Sequence, residues 1–365
     1  MRRLLIAVFT AVSLCTSTAA APERPVVFIP GILGTKLCKD NKDNTVLWGN
    51  ALSLRNFESL ELKGGASASG IKTCGLIKSI NLLGPFWTVH QYDTILSTLH
   101  DLGYVEGTNL FVFPYDWRLS NFETAKALKK FIEEDQQELR NGKFDIVAHS
   151  MGGLVTRIYL QQYGGAAKVR KVIYLGTPFQ GSMNALATLS QGWGRVANGL
   201  AGGLDGIRKT ILSMPAFYEL FPRYACCRIG SESQFEPVDI FSYEVWLRYN
   251  WLPLQFSSGP SAIAAKENLQ QAANLRELLR SKEVVGVKHV VIAGDAFATR
   301  YYLYAAKENP TWQNWRFTAS RGDGTVPVWS AANDLTSITG THPSFSEHAT
   351  SSTIKPRKTC FSANW

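Results

Sequence analysis

A chain of 365 residues with 45% hydrophobic side chains can bury a full core, which excludes a disordered polymer, and it fits one large α/β domain with insertions or two modest domains. The 38 basic and 29 acidic residues give a formal charge of +9. No dense basic run, zinc-finger spacing or other nucleic-acid motif accompanies that excess, so it reads as a solvated basic surface without a nucleic-acid partner.

In chain order, residues 1–20 read as a secretory signal. Arg2 and Arg3 supply the positive start, Leu4 to Leu14 an apolar stretch too short to span a bilayer, and Ser17 to Ala21 the small residues for cleavage near Ala20. The mature chain, 21–365, is expected to be exported and soluble, without a transmembrane segment. Export makes disulfides the default for Cys38, Cys74, Cys226, Cys227 and Cys360. Cys38 and Cys74 bracket a loop-rich insertion and are the favoured pair; the pairing of the other three stays open. None has C-x-x-C spacing or a neighbouring histidine, which argues against zinc. DNKDN (40–44) lacks the glycine and the terminal glutamate of a calcium loop, so no metal is expected.

Pro25 to Pro30 reads as a strand ending at a Pro-Gly turn, Gln91 to Gly103 as a helix, and Leu110 to Pro114 as a strand. Asn121 to Asn141 carries one apolar face, with Asn121 as its cap. Phe144 to Ala148 is strand, Met151 to Tyr163 helix, Val169 to Leu175 strand, and Val284 to Ala293 contains another. This alternation predicts a mostly parallel sheet flanked by helices. It breaks down between about 179 and 283, which reads as a cap insertion over the sheet edge. The aromatic residues there (Phe217, Tyr218, Phe221, Trp246, Tyr249, Trp251) suit either a lipid-facing cap or ordinary core.

The chemistry concentrates at AHSMG (148–152), where a predicted strand meets a predicted helix. Small residues at 148 and 152 let the backbone turn sharply and present the Ser150 hydroxyl, although alanine stands at the first small position where glycine is usual. A serine hydroxyl attacks only when a base takes its proton. The alternative is a serine that merely caps the helix. The backbone N–H of Met151, at the positive helix end, would face a developing oxyanion. His149 reads as scaffold pointing away from that side.

The acid and base should follow in the order Asp, then His. RGDGTVP (321–327) offers Asp323 in a tight loop that could equally be a bare turn. Of six histidines only His342 and His348 lie downstream; His348 is favoured because His342 precedes a proline and looks like part of a turn. PGILG (30–34) after the first strand offers the second oxyanion amide, at Ile32 with Leu33 next.

Together FIPGILGTKL (28–37), PYDWR (114–118), AHSMGG (148–153), LGTPFQGS (175–182), SMPAFYELFP (213–222), GDGTVP (322–327) and EH (347–348) resemble the lecithin–cholesterol acyltransferase family of α/β-hydrolases, in the family's order. The resemblance implies an α/β-hydrolase fold with a cap insertion and an N-terminal lid loop at about 38–74. It implies Ser150, Asp323 and His348 as catalytic residues, Ile32 and Met151 as oxyanion donors, and Trp48 as a lid residue touching lipid. It also implies a disulfide-closed lid, a part that Cys38 and Cys74 could play. The activity implied moves a fatty acyl group from a phospholipid or other lipid ester to an alcohol or water, without cofactor, at a membrane or lipoprotein surface. Competing expectations are a serine carboxylesterase or lipase on non-phospholipid esters, or a catalytically silent lipid-binding homologue. PYDWR is expected to be structural, with Asp116 paired to Arg118 and Trp117 packed.

Overall fold

The computed structural model describes residues 24–332 except 51, 64–69, 82–87, 91, 141, 232–233 and 281–283. The expected signal, Cys360, His342 and His348 lie outside the described residues.

Strand β1 (Val26–Ile29) turns into β2 (Thr35–Lys39), β3 (Val46–Trp48) and β4 (Ile71–Leu76), an antiparallel trio. A short pair follows, β5 (Ser79–Asn81) with β6 (Thr88–His90). Helix α1 (Asp93–Asp101), β7 (Leu110–Val112), α2 (Asn121–Lys130), α3 (Gln137–Arg140), β8 (Phe144–His149), α4 (Met151–Gln162) and β9 (Val169–Leu175) come next. The expected cap region supplies α5 (Met183–Gln191), α6 (Arg195–Leu200), α7 (Gly203–Leu212), α8 (Pro215–Tyr218), β10 (Cys227–Ser231), β11 (Gln234–Pro237), α9 (Tyr243–Arg248) and α10 (Gly259–Arg280). The last elements described are β12 (Lys288–Ile292), β13 (Phe297–Ala306), β14 (Arg316–Gly322) and α11 (Val328–Ala332).

The central sheet has the order β12-β9-β8-β1-β7 and every pair in it is parallel, so this is an α/β-hydrolase architecture. Parallel strands need cover on both faces, and the sequence provides it. β8 is buried from Phe144 to Ala148. On one face α4 is buried from Met151 to Leu160. On the other, Ile95, Leu96 and Leu99 of α1 pack on Val26, Phe28 and Val147. A second sheet, β11-β10-β13-β14, ties the expected cap region to the strands that follow it.

Two local expectations change. The helix expected over 121–141 stops at Lys130, passes through a π-helical segment (Phe131–Asp135) and resumes as α3. Its cap is Ser120, whose hydroxyl accepts the Phe122 N–H at 3.1 Å, while Asn121 is the first helical residue. The expected cap at Asn121 is thus displaced by one residue, because it is the Ser120 hydroxyl that reaches the first turn.

Cys38 and Cys74 form a disulfide between β2 and β4, and the adjacent Cys226 and Cys227 form another. Phe217, Tyr218, Phe221, Trp246 and Trp251 are buried, the last packed with Trp312 and Trp315, so these cap aromatics are core and not a lipid-facing surface. No helix among the described residues is long and apolar enough to cross a membrane.

Candidate active site

Ser150 occupies the turn between β8 and α4 with φ 51° and ψ −124°, a strained conformation for a residue with a side chain. Backbone bonds hold it there: its N–H donates to Leu175 O of β9 at 2.8 Å and its carbonyl accepts from Gly153 N at 3.0 Å. A Cβ at position 152 would lie 2.5 Å from Pro30 O and 2.6 Å from Ile29 O, so only glycine lets α4 start against the end of β1. Ser150 stands at the N-cap position, yet its side chain makes no capping hydrogen bond. The helix-capping explanation for this serine therefore fails. Met151 opens α4, and its N–H has no acceptor within the helix.

The Pro30–Gly34 loop lies directly over this turn. A Cβ at Gly31 would sit 2.8 Å from the Ser150 Cβ and 3.1 Å from His149 Nδ1. The loop is a tight turn closed by Gly34 N–H to Gly31 O at 3.2 Å, with Leu33 at φ 63°. The N–H of Ile32 has no partner among the described residues.

Three aromatic polar tips fasten this loop. Tyr115 Oη donates to Pro30 O, Tyr92 Oη accepts from Gly31 N, and Trp48 Nε1 donates to Leu33 O, each at 2.8 Å. Tyr92 Oη also meets His149 Nδ1 at 2.9 Å. Burial pushes the imidazole down to about 4, so it is neutral near pH 7 and Nδ1 can accept the phenol proton. His149 is thus scaffold, as expected, but its ring faces the loop after β1 instead of turning away. Trp48 is buried against Phe57 and Trp117, with its indole N–H directed at the loop.

Asp323 sits in the loop between β14 and α11, where Gly322 and Pro327 pair across the turn. Its Oδ1 accepts the N–H groups of Thr325 (2.8 Å) and Val326 (2.7 Å). Burial raises the carboxyl's affinity for protons, and these two N–H groups oppose it. Oδ2 points elsewhere: it lies beside Gly176, where a side chain would begin 3.0 Å away, and Gly176 follows the Leu175 that holds Ser150. The Asp323 Cβ touches Gly294, just beyond β12. The carboxylate therefore stands at the carboxyl ends of β9 and β12, beside the strand that presents Ser150. Ser182 donates to Thr325 O at 2.5 Å and Asn184 Nδ2 to Gly324 O at 2.8 Å, which anchors the loop on the start of α5.

In PYDWR, Arg118 Nε and an Nη of the same guanidinium donate to the two Asp116 oxygens at 2.9 and 2.6 Å, and Trp117 Nε1 donates to Thr35 O at 3.0 Å. The structure therefore pairs Asp116 with Arg118 and packs Trp117. Tyr92, Tyr115 and the loop contact of Trp48 were not legible as site features, since no motif marks Tyr92 and nothing in the sequence aims a ring tip. Among the described residues no group of three or more His, Cys, Asp or Glu is placed to hold a metal ion.

The family model described as Lecithin:cholesterol acyltransferase matches residues 67–245. The chain is 28% identical over 304 residues to "Phospholipase A(1) LCAT3" of Arabidopsis thaliana, covering 70% of this chain and 67% of that protein. It is 36% identical over 107 residues to the human "Lysosomal phospholipase A and acyltransferase", covering 28% of this chain and only 26% of that protein. Among solved structures, a chain of "The crystal structure of Tle4-Tli4 complex" matches with TM-score 0.52 and 19% identity, over 87% of this chain and 90% of that one, a likeness of fold.

Proposed function

This chain is LCAT-like, similar to the lecithin:cholesterol acyltransferase family, and on that premise we propose that it is an exported serine-dependent lipid acyl hydrolase or O-acyltransferase. Ser150 Oγ attacks the acyl carbonyl carbon of a phospholipid or other lipid ester as His348 takes its proton and Asp323 orients the imidazole. The N–H groups of Ile32 and Met151 stabilise the oxyanion. The C–O bond to the glycerol side breaks, His348 protonates the departing alcohol, and the acyl group stays on Ser150. Water or another alcohol, deprotonated by His348, then attacks that ester and releases the acyl product. Segment 38–74 serves as the lid loop and segment 179–283 as the cap. The Cys38–Cys74 bridge supports an oxidising compartment, reached after signal cleavage near Ala20.

The observation that carries this reading is the Ser150 hydroxyl. It is released from capping on a strained turn, faces a loop whose Ile32 N–H has no partner among the described residues, and lies one strand away from a carboxylate whose Oδ2 turns toward Gly176. The names of the relatives direct it to phospholipid acyl esters. The test is release of free fatty acid from phosphatidylcholine vesicles, paired with covalent labelling by a fluorophosphonate. Wild type should release acid and be labelled once, at Ser150, and Ser150→Ala should do neither. Equal release by both proteins would refute the assignment.

A further inference from the structure

The β11-β10-β13-β14 sheet turns one face to solvent, and its register assembles an unusual set of side chains there. Across the four strands Pro237, Arg228, Tyr304 and Arg316 stand in one row. Two residues along β13, Tyr302 is on the same face, paired with Thr318, and Phe235 lies opposite Gly230. Arg228 and Arg316 are exposed, and Tyr302, Tyr304 and Phe235 are half-buried. Tyr304 is thus flanked by a guanidinium on each neighbouring strand. Neither arginine has a carboxylate partner among the described residues, and Arg228 instead lies over the Tyr302 ring at 5.7 Å. The strands carrying Arg228 and Arg316 lie about 10 Å apart across Tyr304, so both guanidinium groups can face one layer of outside anions.

We infer that this face is a docking surface for the anionic phosphate headgroups of a phospholipid bilayer. Guanidinium forks match phosphate oxygens, and tyrosine rings with polar tips suit the layer between headgroups and acyl chains. The ring packing argues against other occupants. Arg228 covers a face of Tyr302, where a sugar would need bare ring. Phe235 meets Tyr304 at 65° and 5.2 Å, and Tyr302 and Tyr304 lie 5.0 Å apart, so the rings pack on one another instead of offering separate steps for nucleobases. β14 begins on this face at Arg316 and ends at Gly322, one residue before Asp323, about 20 Å further along the strand. Docking here would therefore hold the membrane at a fixed distance from the candidate site without occupying it. The choice of a lipid partner rests on the function proposed above.

The test is sedimentation of the full chain with vesicles of phosphatidylcholine alone or with added phosphatidylglycerol, at low and high salt, with thermal midpoints recorded. Wild type should favour the anionic vesicles and lose that preference in salt. Arg228→Gln and Arg316→Gln should each weaken partitioning about fivefold and together about twenty-fivefold, at an unchanged midpoint. The Arg228→Lys/Arg316→Lys pair should retain most of it. Wild-type partitioning in the double Gln variant, or no wild-type preference for anionic vesicles, overturns the proposal. So does binding of a single-stranded oligonucleotide that these variants lose while vesicle binding persists. If Ser150 resists fluorophosphonate while the vesicle results hold, the catalytic reading fails and the docking face stands.

Discussion

Gly31 and Ser150, 119 positions apart in sequence, approach so closely that a methyl group on the first would lie 2.8 Å from the Cβ of the second. That proximity brings the loop after β1 over the turn after β8, and it makes the relative placement of the two segments testable one atom at a time.

Gly31→Ala should reduce kcat/KM by about a hundredfold or more, because a displacement near 1 Å at a reacting centre has that effect. The added methyl also meets His149 Nδ1 at 3.1 Å, so neither neighbour can yield freely. Overpacking should cost about 1–3 kcal/mol of stability. Thermal melts alongside steady-state kinetics check both.

Tyr92→Phe removes the acceptor of the Gly31 N–H and the partner of His149 Nδ1. A buried donor left without a partner costs about 1–3 kcal/mol. The expected signature is a fall in kcat and in the rate of fluorophosphonate labelling, with KM nearly unchanged, because the loop loosens while the substrate pocket persists. A change confined to KM would count against the loop's role.

Glu219 makes stability depend on pH. Burial raises its carboxyl to about 7 from an ordinary 4.5, against the bonds from Ser120 and Asn121 and the charge of Arg223. A carboxyl held higher in the fold binds more protons folded than unfolded, so this contribution is full below pH 4.5, falls as pH rises, and is gone above 7. Glu219→Gln should lack that slope. His149 and His289, both pushed down to about 4 by burial, act in the opposite direction in both proteins and cancel in the difference. Denaturant midpoints from pH 4 to 8 supply the measurement.

The Cys38–Cys74 bridge spans 36 positions. Restricting the unfolded chain over a loop of that length is worth about 4 kcal/mol, so Cys38→Ser/Cys74→Ser should unfold at clearly lower denaturant. Since β2 and β4 stay paired through their backbones and Trp48 remains on Leu33 O, the variant should keep ester turnover at low temperature. Loss of turnover without loss of stability would place the bridge in the chemistry instead.

The central sheet was legible because its strands are rich in β-branched and aromatic residues: the expected Val169–Leu175 strand matches β9 to the residue despite Arg170 and Lys171, and the strand and helix about Ser150 match to within one position. The interruption at Phe131–Asp135 was not, since its apolar face continues unbroken and only the hydrogen-bond ladder changes. The β10-β11-β13-β14 sheet escaped as a unit because its strands are separated by α9 and α10, and pairing across such a distance leaves no local pattern. Ser150 and Asp323 were marked by glycine-rich turns. Tyr92, Tyr115 and Trp48 act through single polar atoms whose aim depends on packing that no spacing encodes.

Those three rings arrive from three different places: Trp48 from the small antiparallel trio, Tyr92 from the entrance to α1, and Tyr115 from just beyond β7. Anyone transplanting the serine turn and its facing loop into a foreign scaffold would have to carry all three supports along, because the pentapeptide and the five loop residues hold no means of keeping their own separation. The transferable unit is therefore most of the amino-terminal half of the protein.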